Sequence, residues 1–279
     1  MIPAFDVTLQ STSWKDAVFS LKVATEFSLG IINQVIQQKA DSVHAAPALN
    51  FLNHLFAKRP SETLIAGGRK YFSNLSADIS PAFNELEFRR GIFQSVLFSG
   101  SKSLALNINQ STAAFWNSNM VDLMHVAMTI LQLQNPTHLA SRNLTHERFK
   151  VLKDAFKGLK FFIKHRGAEA ERRHYSIKRL LWMNARESKF DWTDQSGQIR
   201  QISVAEFMHK VYGKQLRYPL TPLVEINGKA HFPMELCFMV RVCLSPPLLI
   251  QPQAYRPTLN PKQREAIIRF ANIVYPPLM

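Results

Sequence analysis

Acidic side chains are scarce in this chain: 20 Asp and Glu stand against 34 Lys and Arg, which leaves 279 residues with a net charge of +14. A surplus of that size makes a polyanion the natural partner. Cysteine is nearly missing. Cys237 and Cys243 are too few and wrongly spaced for a disulfide framework or a structural zinc site, and they read as buried thiols in a reducing compartment. No window reaches roughly 18 uninterrupted apolar residues. The start, MIPAFDVTLQSTSWKDAVF, lacks the basic-then-apolar layout of a signal peptide. The expectation is a soluble intracellular protein with no membrane partner. At 46% hydrophobic and 11% aromatic residues the chain has the apolar mass for real cores, which excludes disorder as its default state.

Catalytic signatures are missing too. There is no G-x-S-x-G elbow, no phosphate-binding P-loop and no pair of carboxylates on one helix face. Asp191 and Asp194 form too ordinary a turn for a two-metal nuclease site. His165, His174 and Cys237 share neither i, i+4 nor C-x-x-C spacing, so no metal and no other cofactor is expected.

What is present is unevenly placed. Residues 1–140 hold 10 basic and 9 acidic side chains, a net of +1, so the other +13 lies in 141–279. Within 142–220 there are 18 basic and 8 acidic residues, interleaved with His146, His165, His174 and His209 and with aromatics from Phe161 to Tyr218. A basic surface with flat rings among its charges suits nucleic acid. A solvated basic face with a separate aromatic core would have the same composition.

Residues 14–39 and 48–57 show helical spacing of apolar groups, and Ile65 to Trp116 reads as short strands and turns. Val121 to Leu133 is an amphipathic helix ended by Asn135-Pro136, where a new unit is expected to begin. Strands follow at 159–164, 175–181, 189–192, 199–203, 223–226 and 230–232, with a helix over 204–212, a pattern compatible with a compact barrel. Asn260 and Pro261 mark the start of a last helix reaching 271.

The run Leu216-Arg217-Tyr218-Pro219 to Pro222-Leu223, then Asn227-Gly228-Lys229 and Phe232-Pro233-Met234-Glu235-Leu236-Cys237, resembles the second half of the PAZ domain of Argonaute proteins. Gly158-Leu159-Lys160, His165, Gly167 and Arg172-Arg173-His174-Tyr175, with Phe190 fifteen residues further on, follow the same order. Residues 91–116, GIFQSVLFSGSKSLALNINQSTAAFW, resemble the Argonaute linker before PAZ, and 258–271, TLNPKQREAIIRFA, the linker after it. The flanking linkers set this arrangement apart from the PAZ domain of Dicer enzymes.

The resemblance implies an α+β, multi-domain chain: a partial N domain over 1–64, a linker over 65–118, a PAZ domain over 119–240 and the start of a second linker over 241–279. It implies an OB-like β-barrel with an inserted αβ appendage for PAZ. The chain stops at Met279, so the MID and PIWI domains are absent and no cleavage activity is expected. CLSPPLLIQPQA, near 242–254, replaces a short polar connection of the family and is expected to be translated intron in part.

The function so implied is sequence-independent anchoring of small-RNA 3′ ends in RNA silencing, in the cytoplasm or nucleus. The partners are single-stranded small RNA or a duplex with a 3′ overhang, and other silencing proteins. The resemblance carries the 3′-end pocket onto Phe190, Phe207 and Tyr212, with Phe232 as a weaker ribose contact. It carries phosphate binding onto His165, Arg173, Tyr175 and Tyr212, and Arg172, Lys210 and Lys229 add charge. Phe207 stands where the family usually has Tyr, which removes one phenolic hydrogen bond, and Val211 stands where some members carry a Lys. Phe190 and Phe207 as plain core residues, and His165, His174, His209 and His231 as ordinary surface histidines, are the alternatives from packing alone. Two other functions fit the charge: a slicer endonuclease of which this is part, and a basic interaction module without 3′-end recognition.

Overall fold

The computed structural model describes residues 5–9, 17–21, 28–80, 83–100, 103–117, 119–165, 173–193, 197–226, 228, 230–240, 242–244, 249–251 and 253–272. They fall into two compact units, Met1–Glu62 with Phe93–Asn109, and Thr63–Ile92 with Gln110–Met279. The architecture is α+β. No helix among the described residues is long and apolar enough to cross a membrane.

In the first unit β1 (Phe5–Leu9) and β2 (Ala17–Leu21) pair antiparallel, with Val7 opposite Phe19. Among the described residues the helix expected across 14–39 is found as α1 (Gly30–Ile36), while 17–21 is strand and 14–16 and 22–27 lie outside the described residues. Over 17–21 the residues Val18 and Phe19 favour an extended pleat, and β1 supplies the hydrogen-bonding partner. Helix α2 (Ala46–Thr63) contains the expected 48–57 segment and continues through Pro60. Proline brings no N–H to the carbonyl of Phe56, four residues earlier; Gln94 Nε2 donates to that oxygen instead, at 2.8 Å.

The second unit opens with β3 (Ile65–Gly67), β4 (Lys70–Phe72), β5 (Ile79–Ser80), β6 (Leu86–Ser99) and β7 (Ser103–Trp116), in the order β3-β4-β6-β5 with β7 paired to β6. β6 and β7 each continue into the first unit. Gly91 sits where a Cβ would lie 2.2 Å from the Tyr71 carbonyl oxygen, so only glycine lets the two backbones approach.

Helix α3 (Leu123–Leu131) starts on Asp122, whose carboxylate accepts from His125 N at 2.8 Å, and ends on Gln132 in the left-handed region. The new unit expected near Pro136 does not begin there. Pro136 only opens a short 3-10 turn, and Leu139 and Leu144 join Leu123 and Val126 in one core. Helix α4 (His146–Phe156) has no counterpart in the sequence reading, yet it buries Phe149, Leu152, Ala155 and Phe156 in that core.

From there the six strands expected from the sequence are found with ends shifted by a few residues at most, except that the one expected over 175–181 is divided in two: β8 (Lys160–Ile163), β9 (Tyr175–Ser176) and β10 (Arg179–Asn184), β11 (Lys189–Thr193), β12 (Ile199–Ser203), β13 (Pro222–Glu225) and β14 (His231–Pro233); β15 (Cys237–Met239) has no counterpart among the expected strands. Helix α5 (Val204–Tyr212) lies between β12 and β13. The strands form sheets β10-β13-β14 and β15-β8-β9 and an antiparallel pair β11-β12; none closes on itself among the described residues. Cys237 is wholly buried and donates to the Pro233 carbonyl, and burial holds its thiol well above the ordinary 9.0.

Beyond Val240, β16 (Val242–Leu244) and β17 (Leu249–Gln251) pair antiparallel. Gln253, inside the atypical run, is integral to the fold. Its side chain accepts from Lys160 N at 2.8 Å and donates to Lys160 O at 2.7 Å and Val240 O at 3.1 Å. The excursion that leaves at Val240 thus returns to the same place. Helix α6 (Pro261–Asn272) is capped by Asn260 Oδ1, which accepts from Gln263 N at 2.9 Å, and it packs Phe270 against Phe88.

Candidate nucleic-acid interface

Strand alternation sends Phe161 of β8 into the core, where it is fully buried, and Phe232 of β14 comes in behind it at 4% exposure. Their ring centroids are 6.4 Å apart, and Tyr175 of β9 lies 5.8 Å from Phe161 and 6.1 Å from Phe232. The contacts continue outward. His165, just after β8, stands 6.2 Å from Phe232 and 4.8 Å from Tyr212, edge to face with the latter. Tyr212 is 5.7 Å from Phe207, and Phe207 is 5.2 Å from Phe190 and 6.4 Å from Trp192. All of these lie in the range where edge-to-face and tilted ring pairs attract. One unbroken run of rings therefore leads from the core to Phe190, which is 37% exposed.

At the outer end of this run lies an open cleft of about 220 Å³, walled by Phe190, Phe207, His231 and Phe232 with Lys189 also lining it. Flat apolar walls beside a cation match a nucleotide, whose base stacks and whose phosphate carries charge. His231 is a residue that sequence reasoning set aside as a surface side chain. Its Nδ1 is 3.0 Å from the Oγ of Ser188, a serine only 4% exposed. This contact holds the imidazole in place at the cleft wall, and Nε2 is the ring's second hydrogen-bonding atom.

Helix α5 presents Phe207 and Tyr212, and its ends are fixed locally. Ser203 accepts from Glu206 N at 3.2 Å, and the Glu206 carboxylate accepts from Ser203 N at 2.8 Å, a reciprocal capping box; Gly213 closes the helix in the left-handed region. The Ser203 N–H, and after it the Ser203 hydroxyl, hold the Glu206 carboxyl below the ordinary 4.5. A carboxyl lowered on folding stabilises the folded state above its unfolded value, and that contribution is lost as pH falls through the folded value. Ser203→Ala is expected to lower stability at neutral pH by about 1 kcal/mol and, because alanine keeps the backbone N–H that is the larger cause, to flatten the pH dependence below about 4.5 only in part. Urea melts at pH 7 and pH 4 read both effects.

Of the residues expected at the site, Phe190, Phe207 and Phe232 wall the cleft, and Tyr212, His165 and Tyr175 lie along the ring run behind it. Phe190 is not a plain core residue, whereas Phe207 also packs against the small cluster of Val204, Met208 and Leu223. Arg173 is exposed and lies outside the ring run and the cleft lining. Lys210 sits on the exposed side of α5, where its charge acts on Glu206. Arg172 and Lys229 lie outside the described residues. Trp192 and Phe161 extend the ring run at its two ends, and neither was assigned a role from the sequence.

Comparison with known proteins agrees with this picture. The PAZ domain model matches residues 128–267, and the Argonaute linker 1 domain model matches residues 66–117. Protein argonaute of Schizosaccharomyces pombe is 28% identical over 261 residues, covering 92% of this chain and 29% of that protein. Protein argonaute 1C of Oryza sativa subsp. japonica is 28% identical over 221 residues, covering 79% and 20%. Among solved structures, the Kluyveromyces polysporus Argonaute with a guide RNA superposes with a TM-score of 0.51 at 15% identity, covering 85% of this chain and 26% of that one, a likeness of fold. The chain thus spans less than a third of the length of these relatives. With linker 1 directly ahead of a PAZ domain that takes up half its length, the chain belongs to the Argonaute family.

Proposed function

We propose that this chain anchors the 3′ end of small RNAs, without regard to sequence, as part of RNA silencing. The observation that carries the reading is the unbroken run of rings from buried Phe161 to exposed Phe190, ending in a nucleotide-sized cleft. In this reading Phe190, Phe207 and Phe232 hold the terminal nucleotide. Tyr212, His165, Tyr175 and Arg173 engage the phosphate before it, and Arg172, Lys210 and Lys229 add sequence-independent attraction. The site binds and breaks no bond. Residues 119–240 are taken as the PAZ domain, with the short sheets as walls of an OB-like barrel. Residues 1–64 are taken as part of an N domain, and 65–118 and 241–279 as linkers. The setting is cytoplasmic or nuclear, with other silencing proteins as partners.

The test is binding of the full chain, across a salt series, to an RNA duplex with two-nucleotide 3′ overhangs beside a blunt duplex of the same sequence. Preference for the overhang supports the reading. Equal binding that falls steeply with salt would reduce the protein to a basic interaction module.

A further inference from the structure

A second pocket, of about 280 Å³, lies in the same unit but shares no lining residue with the aromatic cleft. Three arginines from three separate segments line it: Arg142 in the 3-10 turn before α4, Arg186 in the turn after β10, and Arg217 after α5. The remaining wall is largely apolar, with Pro136, Tyr218 and Pro219.

The segments are tied to one another next to each arginine. Ala185 N donates to Pro219 O at 3.0 Å, and Ser141 N donates to Leu220 O at 2.8 Å. Arg217 and Tyr218 both donate their backbone N–H to the carboxylate of Glu235, each at 3.0 Å. The Arg186 and Glu187 N–H groups both donate to Asn184 Oδ1, while the Glu187 carboxylate accepts from Asn184 N. The two acids that could neutralise the cluster, Glu187 and Glu235, are thus engaged by backbone amides. Among the described residues none of the three guanidinium groups meets a carboxylate, and all three arginines are exposed. Like charges gathered on one rim repel each other. The fold draws no ion pair from them, and yet it holds their backbones in fixed register.

We propose that this pocket is a second RNA site, which holds a backbone phosphodiester away from the 3′ terminus. Guanidinium forks match phosphate oxygens, and Tyr218 and Pro219 offer apolar surface to the adjoining sugar or base. Nucleic acid is favoured over a phosphorylated peptide because the pocket is built from the chain segments that lead into the cleft. Arg186 precedes Phe190 by four residues, and Arg217 follows Tyr212 by five. The inference rests on the RNA-binding reading above.

The test uses the full chain and a fluorescein-labelled single-stranded RNA of mixed sequence, with anisotropy read across a salt series. Each phosphate contact contributes about 0.7 to the slope of log K against log salt on single strands. The triple variant Arg142→Gln, Arg186→Gln, Arg217→Gln is expected to lose about one to two units of slope and roughly tenfold in affinity near 0.1 M salt. Its ratio of overhang to blunt duplex binding stays as in the unmodified protein. The three side chains make no hydrogen bond, ion pair or ring contact among the described residues, so the thermal midpoint is expected to stay put, and a melt of each variant checks it. A control triple, Arg148→Gln, Lys150→Gln, Lys153→Gln on the exposed side of α4, removes the same charge away from the pocket.

Unchanged slope and affinity in the pocket triple overturn the proposal, and so does an equal fall in the control triple. Arginine-dependent binding of a phosphoserine peptide, without a change in the RNA slope, also overturns it and assigns the pocket to a protein partner. If the unmodified protein shows no overhang preference, the 3′-end reading fails while the comparison of slopes still decides this one.

Discussion

A chain carrying both Phe190→Ala and Tyr212→Ala is expected to bind an overhang duplex no better than a blunt one. Stacking of a base on an aromatic side chain is worth about 1–3 kcal/mol at single-strand sites. Loss of even one such wall therefore weakens 3′-end binding about fivefold to more than a hundredfold. The two losses will not simply add, because Phe207 touches both rings, at 5.2 Å from Phe190 and 5.7 Å from Tyr212. Phe190 is chosen because the fold depends on it little, and Tyr212 because it stands between His165 and Phe207 in the ring run. Phe190 is 37% exposed on β11, where Ile202 of β12 holds the register through the backbone, and Tyr212 is the last residue of α5. Phe207 and Tyr212 both pack against the cluster of Val204, Met208 and Leu223, so a melt of the double variant accompanies the binding measurement. Sequence-independent attraction by the basic surface remains in the double variant, so its salt slope is expected to stay close to that of the unmodified protein. If the overhang preference survives intact, the cleft is not where the 3′ end sits.

What could be read from the sequence depended on whether the governing interaction was local. Helix α5 was legible to its ends because Ser203, Glu206 and Gly213 set its boundaries within eleven residues, and α6 because Asn260 and Pro261 stand side by side. Strand β2 was misread because five residues carry too little periodicity to separate a strand from a helix, and its partner is a separate segment, Phe5–Leu9. Helix α4 was overlooked for a different reason. Glu147, Arg148, Lys150, Lys153 and Asp154 dominate its composition and hide the stripe of Phe149, Leu152, Ala155 and Phe156 that reaches the core. The site followed the same rule at longer range. No spacing connects His165 with Tyr212 or Phe190 with Phe207; their order along the chain resembles a family, and that resemblance is what named them. His231 escaped because its partner Ser188 is 43 positions away, and the three pocket arginines because they share neither an element nor a spacing.

The inner end of the ring run links stability to binding, and Phe161→Ala is the change expected to show it. Phe161 is fully buried and touches both Tyr175 and Phe232. Removing a buried phenylalanine ring costs about 3–5 kcal/mol, from lost burial and from the cavity left behind. For a unit of this size each kcal/mol lowers the melting temperature by about 2–4 °C, so a fall on the order of 10 °C is expected. Binding should suffer in the molecules that remain folded, because Phe232 and Tyr175 lose the surface that fixes their rings, and His165, which touches Tyr212, rests on Phe232. Phe161→Leu fills most of the space and is expected to cost less than about 1.5 kcal/mol. It nevertheless replaces a flat ring with a branched chain, and so should reduce 3′-end affinity more than its stability loss predicts. Melting curves and overhang binding of the two variants, measured together, separate the contributions. If affinity tracks stability alone in both, the rings behind the cleft are only core, and the binding site begins at Phe232.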